Sequence, residues 1–291
     1  YLELKLEKSI DSLERIIIIK GIIIAKSILY EEIKNISILI ELIDIELQFL
    51  INKDGGHVTR SPVLQIQLLR HLIEIRSVIA VLKNIDTKNL HTCTIKMGEF
   101  CRSFQMPNEN LAWFNGGSIV SKDLIKQTLN RIGYKNKIFH IAEETGFCRI
   151  SNQDIVLIAD IGTKKNLKKQ NKAGLFSFEF YYKKLKIISN LGDVINSSTI
   201  NAHNSLASSA AHSTLSIDDR NNIDLSGNRK TKTLNLEIGK TAEGNLIDIT
   251  HSGYELIFGV HHRRRIYLSK NKGEIRGQDD ILNFKNIGSI P

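Results

Sequence analysis

The side chains suited to proton transfer or to holding an anion are His57 and Arg60 in an early loop, His212 in the middle, and His262, Arg263 and Arg264 near the C-terminus. A histidine accepts a proton when its pKa lies near neutrality. The planar fork of an arginine suits a carboxylate or sulfate, because it can bind two oxygens at once. Arg263-Arg264-Arg265 is not one three-charge patch. Alternation along a strand puts Arg263 and Arg265 on one face and Arg264 on the other. Read alone, His212 is equally a strand residue with a satisfied hydrogen bond. His140, His203 and His251 read as surface residues.

The elements that must position these groups start with the stretch Asp54-Gly55-Gly56-His57-Val58-Thr59-Arg60-Ser61-Pro62. Asp54-Gly55-Gly56 breaks one apolar helix, since glycine enters the φ > 0 region without a Cβ penalty. Ser61 then stands as N-cap and Pro62 at N1 of the next helix, where the missing N–H costs nothing. His57, Thr59 and Arg60 are thereby pinned between two helices, a common way of placing functional groups.

Composition narrows the class. The 291 residues are 42% hydrophobic and 24% charged, with a formal net charge of +9. That length allows two domains or one large one. Part of the charge follows from a general excess of Ile, Lys and Asn; the rest suits a polyanionic partner. Nucleic acid is disfavoured, because the Arg run lacks a basic stripe with interleaved aromatics. Cys93, Cys101 and Cys148 are odd in number and lack CxxC spacing, which argues against a disulfide framework or structural zinc cluster. The most apolar run, Ile16 to Ile24, is too short to span a bilayer and reads as a core helix.

Residues 1–106 read as helical. Glu31 to Ile51 is apolar on nearly every face and reads as packed on both sides, with Pro62–Leu82 and Leu90–Met106 after it. Leu111–Phe114 reads as a short strand and Ser121–Ile132 as an isolated helix. From Lys137 the period is two. Strands are expected at Lys137–Glu143, Cys148–Ser151, Ile155–Ile161, Phe176–Tyr182, Leu185–Ser189, Ser213–Ile217, Thr233–Leu236, Ser252–His261 and Arg263–Leu268, with a surface loop over Asn196–Ala210. Many short strands with turns between them predict an antiparallel sandwich.

Motifs in this order resemble the heparinase II/III family of polysaccharide lyases. Asp54-Gly55-Gly56-His57 with Ser61-Pro62 is similar to its DGGH…SP loop, and Phe114-Asn115-Gly116-Gly117 to its FNGG element. Leu175-Phe176-Ser177-Phe178-Glu179 is similar to its LSFE strand. Ala211-His212-Ser213-Thr214 with Asp218, and His262-Arg263-Arg264, look like its AHNT…D and HRR strands. The resemblance implies an α+β fold: an incomplete α/α toroid over residues 1–110, then an antiparallel β-sandwich over 111–291. It also implies β-elimination on an acidic, uronate-containing polysaccharide at the cell envelope or periplasm.

The chain departs from the family where proton transfer is carried out. Lys20-Gly21 takes the place of an Asn-His pair, Leu64 that of a Tyr, and Gln170 that of a His. Lys172 and Asn190 stand where some members hold zinc through His and Asp. Only His212 remains, so no metal and no other cofactor are expected. The resemblance leaves His57 and His212 as the catalytic pair, with Arg60, His262, Arg263 and Arg264 binding substrate. His57 and Arg60 are expected to face His212 and Arg263 across a groove between the halves. The alternative is a glycan-binding or envelope-structural relative without lyase activity. Because the chain opens on Tyr1, it reads as lacking the first toroid helices, with the apolar face of the Ile16–Ile24 helix left exposed.

Overall fold

The computed structural model describes all residues except 30–32, 83–84, 133–136, 153, 164–171, 194–199, 229, 271–272 and 284–291. Gln170 therefore lies outside the described residues. Two compact units are present: Tyr1–Phe104 with Val120–Ile138, and Gln105–Ile119 with Phe139–Pro291.

The first unit is helical: α1 (Leu2–Lys8), α2 (Ser12–Ile28), α3 (Ile33–Leu50), α4 (Pro62–Ile79), α5 (Lys88–Ser103) and α6 (Lys122–Asn130). Asp11 caps α2 by accepting from the Glu14 N–H at 2.8 Å. Ser61 caps α4, and Pro62 opens it, as the Ser-Pro pair predicts. The apolar face of α2 is not exposed. Ile16, Ile18, Ile19, Ile22 and Ile23 are all buried, each contributing about 1.5–3 kcal/mol. A stripe of apolar residues is left in solvent on α3, where Ile38, Ile45 and Phe49 are exposed by 48%, 48% and 65%. They recur at helical spacing, so α3 is packed on one side and not on two.

The loop 54–61 is held from below by Gln65, which is 1% exposed. Its amide donates to the carbonyls of Gly55 (2.8 Å) and Met97 (3.1 Å) and accepts from the His57 N–H at 2.7 Å. One side chain thus ties α4, α5 and the loop. Gly55 is at φ +89°, and a Cβ there would lie 2.6 Å from the Lys96 carbonyl. We expect Gln65→Leu to cost about 2 kcal/mol, since it strands buried backbone groups. A denaturant midpoint unchanged from wild type would show that the loop is held elsewhere.

The second unit holds two antiparallel sheets. One has the order β1 (Ile141–Ala142), β2 (Phe147–Ser151), β3 (Ile155–Asp160), β4 (Phe178–Tyr182), β5 (Leu185–Ile188). The other has β6 (Thr233–Lys240), β7 (Gly244–His251), β8 (Val260–Ser269), β9 (Ile275–Asn283). Every residue of β3 is buried. Its Ile155, Leu157 and Ala159 share a core with Ile247 and Ile249 of β7 and Ile266 and Leu268 of β8. The strand β8 alternates buried and part-exposed residues, which is the period-two pattern of a strand with one face on a core.

Several expectations are corrected. Of Lys137–Glu143 only Ile141–Ala142 is strand, and Leu111–Phe114 forms a single bridge, Gln105 with Leu111. Ser213–Ile217 is not strand: Ser213 and Thr214 turn their hydroxyls onto the carbonyls of Phe178 and Leu175, 2.5 and 2.6 Å away, competing with a ladder. Ser252–His261 contains the short helix α8 (Glu255–Phe258), which ends at Gly259 in the left-handed region. Within Asn196–Ala210 the described part is helix α7 (Ile200–Ala207), followed by a 3-10 turn at Ser209–Ala211.

Candidate functional site

His57 and Arg60 belong to the helical unit and are 3% and 4% exposed. The His57 Nδ1 accepts from the Thr59 N–H at 3.2 Å and lies 2.7 Å from its hydroxyl. The ring proton is therefore on Nε2, which is buried without a hydrogen-bond partner among the described residues. Burial pushes the His57 pKa down to about 4. The loop that presents these residues encloses them. Leu64 lies on the first turn of α4. Lys20 is committed elsewhere, its ammonium 2.7 Å from Glu74 and 3.0 Å from His71 Nδ1.

His262 and Arg264 lie on the inward face of β8 and are 0% and 7% exposed. The Gly253 N–H donates to His251 Nδ1 at 2.9 Å. The His251 proton is therefore on Nε2 and is donated to His262 Nδ1 at 3.0 Å. His262 then donates from Nε2 to Asp279 Oδ1 at 2.7 Å. Arg264 closes the chain with a two-pronged bond to Asp279, 2.7 and 2.8 Å, and donates to the carbonyls of Phe176 and Ser213 at 2.7 and 2.5 Å. Phe176, at φ +62°, meets the His251 ring edge to face. These side chains join β7, β8 and β9 to the segments holding Phe176 and Ser213. Arg263 faces outward, as alternation predicts, and grips Asp248 in a two-pronged bond. That bond holds the Asp248 carboxyl below the usual carboxylate range.

His212 is part-exposed and follows the 3-10 turn in extended backbone. Its Nδ1 donates to the Ser208 carbonyl at 2.8 Å, so Nε2 carries a lone pair. Burial lowers its pKa from the ordinary value, which keeps the ring neutral. Gly174 packs on this ring, and a Cβ there would lie 2.6 Å from it.

Beside it stands a group that sequence reasoning did not assemble. Lys172, 5% exposed, lies 3.3 Å from Asp193 Oδ2, and His203 Nδ1 lies 3.4 Å from Asp193 Oδ1. The Asp193 N–H donates to the Gly117 carbonyl at 2.8 Å. At Gly116 a Cβ would sit 3.5 Å from Asp193 Oδ2, so the glycine loop lies against the carboxylate. Trp113, which opens that loop, lies 3.6 Å beneath the Lys186 ammonium. Lys186 donates to Ser189, and Ser189 to the fully buried Glu179. Burial raises the Glu179 pKa above the ordinary carboxylate value. The signal available in the sequence was Asn115-Gly116-Gly117; nothing in it pointed to Asp193 or His203.

The zinc positions do not fit zinc. Lys172 contributes a cation, Asn190 uses its Oδ1 to accept from Ser213 N–H at 3.3 Å, and the His212 Nδ1 proton is given to a carbonyl. Among the described residues no three His, Cys, Asp or Glu side chains lie grouped to hold a metal ion.

Residues 135–286 match the family model described as heparinase II/III-like, C-terminal. The chain is 25% identical over 248 residues to the FtsZ-localized protein C of Caulobacter vibrioides, covering 81% of this chain and 42% of that protein. Among solved structures it is similar to heparinase III, with a TM-score of 0.72, 16% identity, and coverage of 92% of this chain and 47% of that one. It is also similar to the heparan sulfate lyase HepC of Pedobacter heparinus, with a TM-score of 0.72, 14% identity, and coverage of 92% and 45%. At such identities the structural likeness carries the fold alone: helices followed by two antiparallel sheets, the helical part compatible with a toroid. The chain spans less than half the length of each of these relatives.

Proposed function

The chain belongs to the heparinase II/III-like family through residues 135–286, and from that premise we propose that it cleaves an acidic, uronate-containing polysaccharide by β-elimination. The base is His212, and the cation facing the uronate carboxylate is Lys172. The observation that carries this reading is the His212 ring, neutral, part-exposed, and fixed by Ser208 so that Nε2 is the accepting nitrogen. A proton acceptor must reach its substrate, and this is the histidine of the original pair that solvent reaches. Lys172 serves charge development on the carboxylate, a requirement of any elimination next to a carboxyl group. Arg263, part-exposed on the outer sheet face, acts in substrate binding away from the reacting atoms, whereas Arg60 is enclosed by its loop and holds that loop. The natural setting of such a substrate is the cell envelope. Among the described residues no helix is long and apolar enough to cross a membrane.

Elimination leaves a carbon–carbon double bond conjugated to the carboxylate, so turnover is read as rising ultraviolet absorbance. His212→Ala is expected to lower kcat/KM about 100-fold or more, the usual contribution of a positioned base. Rate should rise with pH through a value below the ordinary histidine pKa and then stay level. Retention of full activity by His212→Ala would refute the assignment.

A second reading is a glycan-binding member without cleavage. It is favoured by Lys20, which stands at the family's Asn-His position and is tied to Glu74 and His71. Binding without new absorbance on any acidic glycan would establish this reading.

A further inference from the structure

A strand at the edge of a sheet offers a row of unpaired N–H and C=O groups, and folded proteins blunt such edges. The sandwich unit has four edge strands, and three of them are blunted. β1 is two residues long. β5 has four residues, carries Lys186, and shifts its register with β4 at Phe180–Tyr181. β6 shifts its register with β7 between Thr233 and Asn235 and ends on Lys240. β9 is different. It runs nine residues, Ile275–Asn283, in unbroken register with β8, and it contains neither Pro nor Lys. Its inward charge, Asp279, is already matched by Arg264 and His262. Among the described residues no strand lies on its other side.

We propose that this edge is covered by a second copy of the chain: β9 pairs antiparallel with the partner's β9 about a twofold axis at Gln278, so that the two sheets become one. The inference stands apart from the elimination reading and does not depend on it.

The residues of the edge select both the occupant and the register. A twofold axis pairs a surface with itself, so the strand must be complementary to its own reverse. Around Gln278 it is. Residues directly opposite each other share a face of the sheet. On the outer face Arg276 comes opposite the partner's Asp280, and Asp280 opposite the partner's Arg276. Both side chains already belong to a row of ion pairs on that face, Asp280 with Arg265 at 2.8 Å and Arg276 with Glu274 at 2.8 Å. On the inner face Ile275 comes opposite the partner's Ile281, a position that is 40% exposed in the single chain. Gly277 comes opposite the partner's Asp279. No atom lies within 4 Å of where a Cβ on Gly277 would stand, so there is room for that side chain. The neighbouring registers fail. An axis at Gly277 sets Glu274 against the partner's Asp280. An axis at Asp279 sets Arg276 against the partner's Leu282 and forms no ion pair.

Sedimentation equilibrium of the full chain tests the pairing. Over a concentration series the mass should rise from the 32.9 kDa of one chain towards twice that value. Arg276→Asp sets like charges opposite each other at two symmetric places, and should raise the dimer dissociation constant about tenfold or more. Arg276→Lys keeps the sign and should stay close to wild type. Cross-linking reads the register. Only at the axis does a residue meet its own copy, so a short bis-maleimide should join Gln278→Cys to its partner. Arg276→Cys lies about 13 Å along the strands from its own copy, and should give no more cross-linked dimer than the wild-type cysteines do. A single-chain mass at every concentration overturns the proposal. So does a dimer that Arg276→Asp leaves intact, or one in which Gln278→Cys and Arg276→Cys cross-link equally, because another surface or another register is then in use.

Discussion

Arg264→Ala is expected to destabilise the sandwich unit by about 3 kcal/mol, the lower end of the cost of breaking a buried ion pair. The guanidinium serves three partners at once: the Asp279 carboxylate and the carbonyls of Phe176 and Ser213. Removing it strands both carbonyls in the core. It also removes one of the two side chains bonded to Asp279. The Asp279 side chain is 36% exposed, so water recovers part of its solvation, which sets the loss at the low end. Arg264→Lys should lose nearly as much, because one ammonium cannot reproduce the two-pronged bond while reaching both carbonyls. Urea unfolding followed by circular dichroism measures it. A midpoint within 0.5 kcal/mol of wild type, the range of ordinary surface substitutions, would mean that Arg264 does not hold β8 and β9 to the segments carrying Phe176 and Ser213.

Acid should unfold the protein well above the range in which ordinary carboxylates titrate. Burial lowers the pKa of His57 to about 4, that of His251 well below its ordinary value, and those of His212 and His262 in the same direction. In each case the folded chain binds fewer protons than the unfolded one. The stability these rings lend is complete above the unfolded value near 6.5 and is lost as pH falls towards the folded values. His57 alone withdraws about 3 kcal/mol between those limits. Protonating His251 or His262 adds a mechanical effect, since each nitrogen in the chain Gly253–His251–His262–Asp279 already has a fixed donor or acceptor role. A second proton sets two N–H groups against each other. Denaturation midpoints should therefore fall steeply from pH 7 to pH 5, and His57→Gln should reduce that slope. Equal midpoints at the two pH values would contradict the buried, neutral histidines.

What the sequence disclosed follows from how far each signal is local. The start of α4 was legible because Ser61 and Pro62 act on their own turn. The strands β2 to β5 were legible because apolar runs bounded by turns need no partner to be recognised. The strand β9 was not, since Arg276 to Asp280 reads as polar loop until β8 supplies the ladder and Asp279 comes opposite Arg264. Likewise α7 was hidden by its Ser and Asn, residues that favour turns unless packing overrides them. The inward turn of Arg264 was visible in the period of two, but its partner lies 15 residues away across a strand pairing. The cluster Lys172–Asp193–His203 joins separate segments, and no spacing rule links them.

The sequence holds a single tryptophan, and it is Trp113, stacked under Lys186 at the mouth of the glycine loop. An ammonium held over an indole perturbs its excited state, so the indole emission of this chain, excited beyond the tyrosine band, is a report from that loop. A sugar that displaces Lys186, or a solvent change that opens the loop, should alter colour and intensity together. The molecule thus carries an optical probe beside its candidate site, readable without a label or a substitution.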